Sequence, residues 1–282
     1  MNYAVTAATG HFGQAAVKEL NQLVGADQVV VIARNAEKAA QLFPANEVRV
    51  ADYADQAALK EALAGIDRVL FVSSQPGGEV SRDQQHRNVV AALKAAKVAR
   101  VVYTSFPHVD RGQSWLAADH RLTEELIRES VLAHAFVRNN WYLENEASFL
   151  KAIAAGQAAS YWTAKPMGWA LEAEYAAGAA RVLVADQVKE VYEFAGPIIT
   201  HAALGEAAAA ALGTAGKAKQ VSKEAYVAGL EASGLDRDTA ALYASFQEPA
   251  ETGDLSAASD DLAAVLGHPL TPLAAAIKQV VG

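Results

Sequence analysis

Short runs of β-branched residues alternate with longer stretches in which apolar positions recur every three or four residues. The runs predict six strands, at 3–6, 29–33, 47–51, 68–72, 100–105 and 135–138. The stretches between them predict amphipathic helices, as in 13–23, where Ala16, Leu20 and Leu23 share one face. Strands joined by helical crossovers imply a parallel sheet that is covered on both faces. The pattern therefore predicts an α/β fold, a doubly wound parallel sheet of the Rossmann type.

Beyond residue 145 this alternation gives way to alanine-rich helix. Helices are predicted near 145–155 and 174–185 and a strand at 191–195, with an aromatic loop at 160–169. We predict two domains: a Rossmann domain in residues 1–145, and a smaller, mostly helical C-terminal domain for the substrate in residues 146–282. The second is expected to pack on the carboxyl edge of the sheet and to be partly interleaved with the first.

Composition narrows the class of protein. Apolar residues make up 52% of the chain and charged residues 20%, which suits a large buried core. The net charge is −8 without a cluster of Lys and Arg, so we expect no nucleic-acid partner. With no cysteine and no histidine pair at helical ligand spacing, no metal site is expected. Neither a signal peptide nor a membrane-length apolar run is evident, which predicts a cytoplasmic protein without a membrane partner.

The segment TAATGHFG, residues 6–13, joins the first predicted strand to the first predicted helix. Gly10 and Gly13 permit close approach of the backbone to a pyrophosphate and close packing of helix on strand, and the helix N-terminus adds positive charge. The alternative is an ordinary strand–helix turn. Ala7 stands where such loops usually carry their first glycine. If its φ is positive, the methyl group costs on the order of 1 kcal/mol and is expected to weaken binding several-fold.

Arg34 directly follows the second strand, about 20 residues beyond the loop. An acid at this place accepts from the ribose 2′-hydroxyl of NAD, whereas an arginine suits the 2′-phosphate of NADP. The alternative is a solvated arginine. Asn35 is a candidate N-cap for the next helix. The predicted cofactor is therefore NADP(H).

Two groups of side chains are candidates for the chemistry. Tyr161 and Lys165 form a Tyr-x-x-x-Lys match, but it follows the sixth strand and runs into a proline, so we interpret it as coincidental. His120 and Glu124 share a face of the helix after the fifth strand. An imidazole there can anchor a ribose hydroxyl or relay a proton, or it can belong to a half-exposed surface pair.

The sixth strand ends in RNNWYLEN, residues 138–145, at the edge where open α/β sheets bind ligands. Its amides can fix the polar edge of a nicotinamide, and its aromatic rings can stack on a flat ligand. Alternatively, Trp141 and Tyr142 only seal the contact with the smaller domain.

Several short motifs occur together along the chain. They are TAATGHFG at 6–13, RN at 34–35, ADY at 51–53, QHRNV at 85–89, YTS at 103–105, RNNWYLEN at 138–145, VYEFAG at 191–196 and GHP at 267–269. Their combination resembles the NmrA-like atypical short-chain dehydrogenase/reductases. Within that family it is most similar to the bacterial type 2 NAD(P)H:quinone oxidoreductases and more distantly to triphenylmethane reductases. The similarity runs over nearly the whole chain.

This resemblance implies a set of site residues. For the cofactor they are Thr6, Ala7, Ala8, Thr9, Gly10, His11 and Phe12 in the first loop, Arg34 at the 2′-phosphate, Ser73, Ser74 and Gln75 after the fourth strand, and Thr104, Ser105, Arg138, Asn139, Asn140 and Trp141 around the nicotinamide. His120 and Tyr142 are the catalytic candidates. His120 stands where reductases of the family carry a lysine, and the family lacks the usual Tyr-Lys pair.

The resemblance and the residues together predict an NADPH-dependent reductase of quinones or similar flat, conjugated acceptors. Hydride would pass directly to an acceptor stacked on Trp141, Tyr142 and Trp162, with a proton from His120 or water. A non-catalytic NADP(H)-binding redox sensor with a protein partner is the main alternative. A nucleotide-sugar epimerase is a third, against which the lack of Tyr-x-x-x-Lys after the fifth strand argues. The sequence leaves a homodimer open.

Overall fold

The structure, a computed structural model, describes residues 1–75 and 79–282. Its strands are β1 (Tyr3–Val5), β2 (Val29–Ala33), β3 (Glu47–Val50), β4 (Arg68–Phe71), β5 (Arg100–Ser105), β6 (Ala133–Asn139), β7 (Trp141–Tyr142), β8 (Ala158–Tyr161), β9 (Met167–Ala170), β10 (Val191–Phe194), β11 (Ile198–Ile199) and β12 (Lys217–Gln220). Its helices are α1 (His11–Val24), α2 (Ala36–Leu42), α3 (Gln56–Ala62), α4 (Arg82–Ala95), α5 (Trp115–Glu129), α6 (Ala147–Ala154), α7 (Glu172–Val184), α8 (His201–Leu212), α9 (Lys223–Ala232), α10 (Arg237–Ser245), α11 (Glu248–Glu251), α12 (Asp261–Leu266) and α13 (Leu273–Val281).

Seven parallel strands form the main sheet in the order β10-β6-β5-β4-β1-β2-β3. The chain winds outward from β1 to β3, returns to β4 and then winds the other way, so the switch point lies between β1 and β4. The predicted doubly wound α/β fold is confirmed, and the six predicted strands are all present. The strand predicted at 191–195 is the edge strand β10, which pairs with β6.

The sheet is covered on both faces because consecutive residues of its central strands are apolar and point to opposite sides. In β2, Val31 packs into the core that contains Leu20 of α1 and Leu183 of α7, while Val30 packs into the core that contains Leu93 of α4. Helices thus shield both faces of the sheet from solvent, as expected for parallel strands. Loops at the carboxyl edge remain accessible to a ligand.

The C-terminal part adds two small sheets, β11-β9-β7 and β12-β8, around a third core. Leu150 of α6, Leu204 of α8 and Ile277 of α13 meet in that core. Helix α7 packs instead on α1, and β10 joins the main sheet, so residues 172–194 belong to the layer built by the first half of the chain. The second half of the chain thus contributes both a strand and a helix to the layers of the main sheet.

Two kinds of feature are not found in residues 1–75 and 79–282. No helix there combines the length and the apolar character needed to cross a membrane. No group of three or more His, Asp or Glu side chains there is arranged to hold a metal ion.

Candidate NAD(P)H site

The predicted site residues lie at the carboxyl edge of the sheet, around its switch point. Thr6 to Phe12 form the turn from β1 to α1, and Ser73 to Gln75 follow β4. Thr104 and Ser105 end β5, and Asn139 to Tyr142 run from the end of β6 into β7. Because the four strands are parallel and adjacent, their loops meet at one crevice. The fold thus brings together residues that are up to 136 positions apart, from Thr6 to Tyr142.

The two glycines of the first loop have different steric roles. A Cβ on Gly13 would lie 2.6 Å from the Cα of Ala8 and 2.7 Å from the carbonyl oxygen of Ala7. Gly13 is therefore required for α1 to pack on the loop. A Cβ on Gly10 would come no closer than 3.5 Å to Ala7. Gly10 is the exposed N-cap of α1 and provides no side-chain cap, so the helix N-terminus fits an anion.

Ala7 adopts a φ of 49°, in the left-handed region that favours glycine. Hydrogen bonds of the loop hold it there: Ala8 donates its N–H to Ile32 over 3.2 Å, and Gly10 donates to the carbonyl of Ala7 over 3.1 Å. The positive φ considered above is thus present. Since the protein's own hydrogen bonds fix it, its cost belongs to folding and not to the binding of a ligand.

Arg34 extends from the end of β2 with its side chain 80% exposed. Its nearest acid is Asp52, with 3.8 Å between Nη1 and Oδ2, a distance too long for a strong ion pair. Asn35 accepts a hydrogen bond of 2.8 Å from the N–H of Lys38 and is the N-cap of α2, as predicted. The guanidinium is therefore available to an anion at this corner of the crevice.

The ADY and QHRNV motifs tie the loops together. The hydroxyl of Tyr53 lies 2.5 Å from Oγ1 of Thr6 and 2.7 Å from the carbonyl oxygen of Val72. The N–H of Val72 donates to the same Thr6 oxygen over 3.1 Å. Asn88 of α4 donates to the carbonyl of Tyr53 over 2.9 Å. These bonds fix the ends of β1 and β4 on either side of the switch point.

His86 holds the loop after β4. Its Nε2 lies 3.1 Å from the backbone nitrogen of Ser74, which can only donate, so Nε2 accepts and Nδ1 carries the proton. Nδ1 then donates to Thr123 over 2.7 Å. Burial, reinforced by the charge of Arg82, lowers the pKa of His86 to about 3. The neighbouring N–H of Ser73 donates to Oγ1 of Thr104 over 2.9 Å, which joins the loops of β4 and β5.

Arg138 and Glu124 form a buried ion network under the crevice. The two carboxylate oxygens of Glu124 accept from Nε and Nη2 of Arg138 over 2.9 and 2.8 Å, and Oε1 also accepts from Ser105 over 2.6 Å. Nη1 of Arg138 reaches Asp110 and Glu193, each over 2.8 Å. Arg138 is thus held by three carboxylates of the protein, and the described residues show no hydrogen bond between the Glu124 carboxylate and the His120 ring, although both lie on α5. Here the guanidinium supports Ser105 and the end of β6.

Asn140 has an equally internal environment. Its Oδ1 accepts from the N–H groups of Trp141 and Gly168 over 2.8 and 3.3 Å, and its Nδ2 donates to Leu255 over 3.1 Å. Leu255 lies 115 positions further along the chain. The Asn140 amide therefore joins the end of β6 to the C-terminal part.

Asn139 differs from its two neighbours because half of its amide is unused. Nδ2 donates to the hydroxyl of Tyr142 over 3.1 Å, whereas Oδ1 is buried and has no hydrogen-bond partner within the described residues. The Tyr142 ring stacks on Phe12 of the first loop, with centroids 6.0 Å apart, and packs on Tyr175 at 5.2 Å. A buried, unpaired acceptor calls for a donor, and the –NH₂ of a carboxamide is one. With the glycines and Arg34, these residues fit a nicotinamide dinucleotide phosphate.

His120 is buried between Tyr103 and Arg82. Its Nδ1 lies 2.8 Å from the Tyr103 hydroxyl, and its Nε2 lies 2.9 Å from Nη2 of Arg82. Burial, followed by the charge of Arg82, lowers the pKa of His120 well below its usual value. Sequence reasoning found His120 but missed Arg82, since only tertiary folding brings together two residues 38 positions apart.

The aromatic candidates of the C-terminal half lie in different surroundings. Trp141 is half-buried and donates from Nε1 to Glu146 over 3.2 Å. Trp162 donates to the carbonyl of Ala244 over 3.0 Å, so its indole is engaged with α10. Tyr161 ends strand β8 and stacks on His201 at 5.2 Å. Tyr161 thus belongs to a strand and not to the helix that a Tyr-x-x-x-Lys pair requires, as predicted.

Residues 7–164 match the profile of a family described as NAD(P)H-binding. Quinone oxidoreductase 2 of Escherichia coli (strain K12) is 36% identical to the chain, over 98% of both proteins. The crystal structure of an Escherichia coli NADPH-dependent quinone oxidoreductase with NADPH superimposes with a TM-score of 0.90 at 34% identity, covering 99% of this chain and 100% of that one. Triphenylmethane reductase from Citrobacter sp. gives a TM-score of 0.93 at 28% identity, covering 100% and 99%. The chain therefore belongs to the NAD(P)H-binding family of Rossmann-fold proteins that includes bacterial quinone oxidoreductase 2.

Proposed function

We propose that the protein is an NADPH-dependent reductase that transfers hydride to quinones or similar flat, conjugated acceptors. The observation that carries the proposal is the buried, unpaired Oδ1 of Asn139 at the end of β6, beside the stacked rings of Phe12 and Tyr142. An acceptor atom in this place suits the carboxamide of a nicotinamide. Membership of the family and full-length similarity to a quinone reductase support it.

The chain's own groups account for binding of the dinucleotide. The N–H groups at the start of α1 and the open approach at Gly10 suit the pyrophosphate, which Thr6 to Phe12 would surround. The exposed guanidinium of Arg34 suits the 2′-phosphate. Residues Ser73 to Gln75, Thr104 and Ser105 line the path toward the nicotinamide. Arg138 and Asn140 would act from beneath, by fixing Ser105 and Asn139.

When bound, the reduced dinucleotide supplies the hydride. The acceptor would stack on the half-buried indole of Trp141, and the Tyr142 ring, itself packed on Phe12 and Tyr175, would line the pocket. The hydroxyl of Tyr142 is already turned toward Asn139, and burial raises its pKa, so it stays protonated. The acceptor is the small-molecule partner in this proposal. We further propose that the protein is cytoplasmic and binds no nucleic acid. Light scattering of the purified protein will distinguish a monomer from a homodimer.

A redox sensor that binds NADP(H) without chemistry is the second candidate. The neutral, buried state of His120 favours it, because this side chain then offers no proton to a bound acceptor. A sensor and a reductase differ in one measurable property, which is turnover.

The test is NADPH oxidation by the purified protein against a panel of small quinones, with NADH in parallel and cofactor binding followed by fluorescence. Quinone-dependent turnover that prefers NADPH is the expected result. Tight NADPH binding without turnover would replace the reductase by the sensor. Binding of neither dinucleotide would refute both.

A further inference from the structure

Arg82 is a buried cation at the crevice whose role is not explained by binding of the dinucleotide. It is the first residue of α4, after the loop that follows β4, and only 8% of its surface is exposed. Its Nη1 donates to Asp119 over 3.1 Å and its Nη2 contacts His120, while Nε has no partner within residues 1–75 and 79–282. Asp119 is 38% exposed, so its charge is partly screened by water.

The two buried arginines of the site differ in how their charge is compensated. Arg138 contacts the carboxylates of Glu124, Asp110 and Glu193. Arg82 has a single carboxylate partner within the described chain, and its second contact is a neutral ring nitrogen. The charge of Arg82 is therefore less fully compensated than that of Arg138.

The contact with Arg82 fixes the protonation of His120. A guanidinium donates and cannot accept, so Nε2 of His120 must be the unprotonated nitrogen. Nδ1 then carries the proton and donates to the hydroxyl of Tyr103. The other groups that face the imidazole are His86 of α4, which is itself neutral, and the ring of Phe106 after β5. Each of these neighbours favours a neutral His120.

We propose that Arg82 is a positioning residue that holds His120 as the neutral Nδ1–H tautomer, and that the Arg82 guanidinium, not an imidazolium, is the positive charge beside the reacting acceptor. The second part rests on the proposed reductase function. In that reaction a quinone, NADPH and one proton give hydroquinone and NADP⁺. Hydride brings two electrons and one hydrogen nucleus to the quinone, and the oxyanion that develops takes its proton from water. A nearby cation stabilises that oxyanion.

Two substitutions of Arg82 separate its charge from its hydrogen bond. Arg82→Gln keeps a donor for His120 but removes the charge, and Arg82→Lys keeps the charge. Arg87→Gln is the matched control, because Arg87 lies on the same helix, is 44% exposed and pairs only with Asp83 in the described residues. Each protein is labelled with ¹⁵N-histidine, and the tautomer and titration of His120 are followed by NMR from about pH 5.5 to 8. Steady-state reduction of 1,4-naphthoquinone is measured over the same range.

We expect Nε2 of His120 to be unprotonated throughout this range in the wild type, in Arg82→Lys and in Arg87→Gln. In Arg82→Gln, which keeps a donor toward Nε2, the Nδ1–H tautomer should persist because burial still favours the neutral imidazole, while kcat should fall by about tenfold or more at pH 8 because the charge is gone. A thermal melt shows whether each variant is folded, and Arg82→Lys keeps the test valid if the glutamine variant is not.

Protonation of Nε2 in the wild type, or in a folded Arg82→Gln protein that keeps the donor, would overturn the positioning role. Equal kcat at pH 8 in the wild type and Arg82→Gln would overturn the charge role. If the wild type reduces no quinone, the proposed function fails and the charge role with it, whereas the NMR result still decides the tautomer.

Discussion

Replacement of Ala7 by glycine tests whether the missing glycine of the first loop affects folding or binding. Ala7 has a φ of 49°, which costs an L-residue about 1–2 kcal/mol. Glycine removes that cost but loses about 0.4–1 kcal/mol through the greater freedom of the unfolded chain. The Ala7 methyl is partly buried against the sheet, and its loss removes about 0.4 kcal/mol, half the value of a fully buried methylene. The net expectation is a stabilisation of about 0.5 kcal/mol, which follows from these three terms.

For a chain of this size, Ala7→Gly should raise the Tm by about 1–2 °C. The dissociation constant of NADPH should change by less than about twofold, because the loop's own hydrogen bonds already hold the positive φ. Lys97→Gly is the matched control: Lys97 has a φ of 58° at the exposed end of α4, far from the crevice, and has no buried methyl to lose. Calorimetry and a fluorescence titration of NADPH measure the two effects.

The opposite pattern would refute this reasoning. If the strain arose on binding, Ala7→Gly would lower the Tm, because the other two terms would remain, and would tighten NADPH about fivefold, which corresponds to about 1 kcal/mol. A Tm that rises in Lys97→Gly but falls in Ala7→Gly would mean that packing of the Ala7 methyl exceeds the strain.

Four further outcomes follow from the site. Gly13→Ala should lower the free energy of unfolding by about 2 kcal/mol or more, and with it the Tm, because the added Cβ would lie 2.6 Å from backbone. Gly10→Ala should stay folded but bind NADPH more weakly in a fluorescence titration. Arg34→Ala should weaken NADPH about 10–100-fold and NADH by less than about twofold, as fluorescence titration of both will show; equal losses would exclude contact with the 2′-phosphate. Burial lowers the pKa of His86 to about 3, so the stability that its neutral form contributes is complete above about pH 6.5 and is lost as the pH falls toward 3. In urea melts the free energy of unfolding should fall over this range by at most about 1.4 kcal/mol per pH unit, and this slope should be smaller in His86→Gln. Burial raises the pKa of Glu172, whose carboxyl faces the N–H of Phe12 in the first loop, and a pyrophosphate bound there would favour its protonated form further. The affinity for NADPH should therefore fall as the pH rises, and titrations across pH should show a flatter dependence in Glu172→Gln.

The strand and helix pattern was predictable because it depends on local spacing. Each strand of the first half was found within two residues of its bounds, since β-branched runs of strand length alternate with helical periodicity. The first loop and its N-terminal helix followed from glycines at fixed positions, and Asn35 followed from the chemistry of an N-cap. The strand at 191–195 was also recognised, but its place beside β6 was not, because local patterns do not encode which strands pair.

Side-chain partners across the site were decided only by the tertiary structure. The sequence drew attention to His120, Arg138 and Asn140, but it did not predict their partners. Arg138 contacts Glu124, 14 positions away, His120 contacts Arg82, 38 positions away, and Asn140 contacts Leu255, 115 positions away. Those distant partners give Arg138 three carboxylates, whereas Arg82 has a single one within residues 1–75 and 79–282.

The sequence by itself determined the fold class, the glycine-containing turn between β1 and α1 and the edge of the sheet at which the candidate residues lie. These depend on periodicity, glycine positions and the order of strands, which are properties of neighbouring residues. The tertiary structure decided the φ of Ala7, the tautomer of His120 and the free acceptor of Asn139. Strain, burial and hydrogen-bond satisfaction are properties of the packed molecule, because each depends on groups that folding brings from distant parts of the chain.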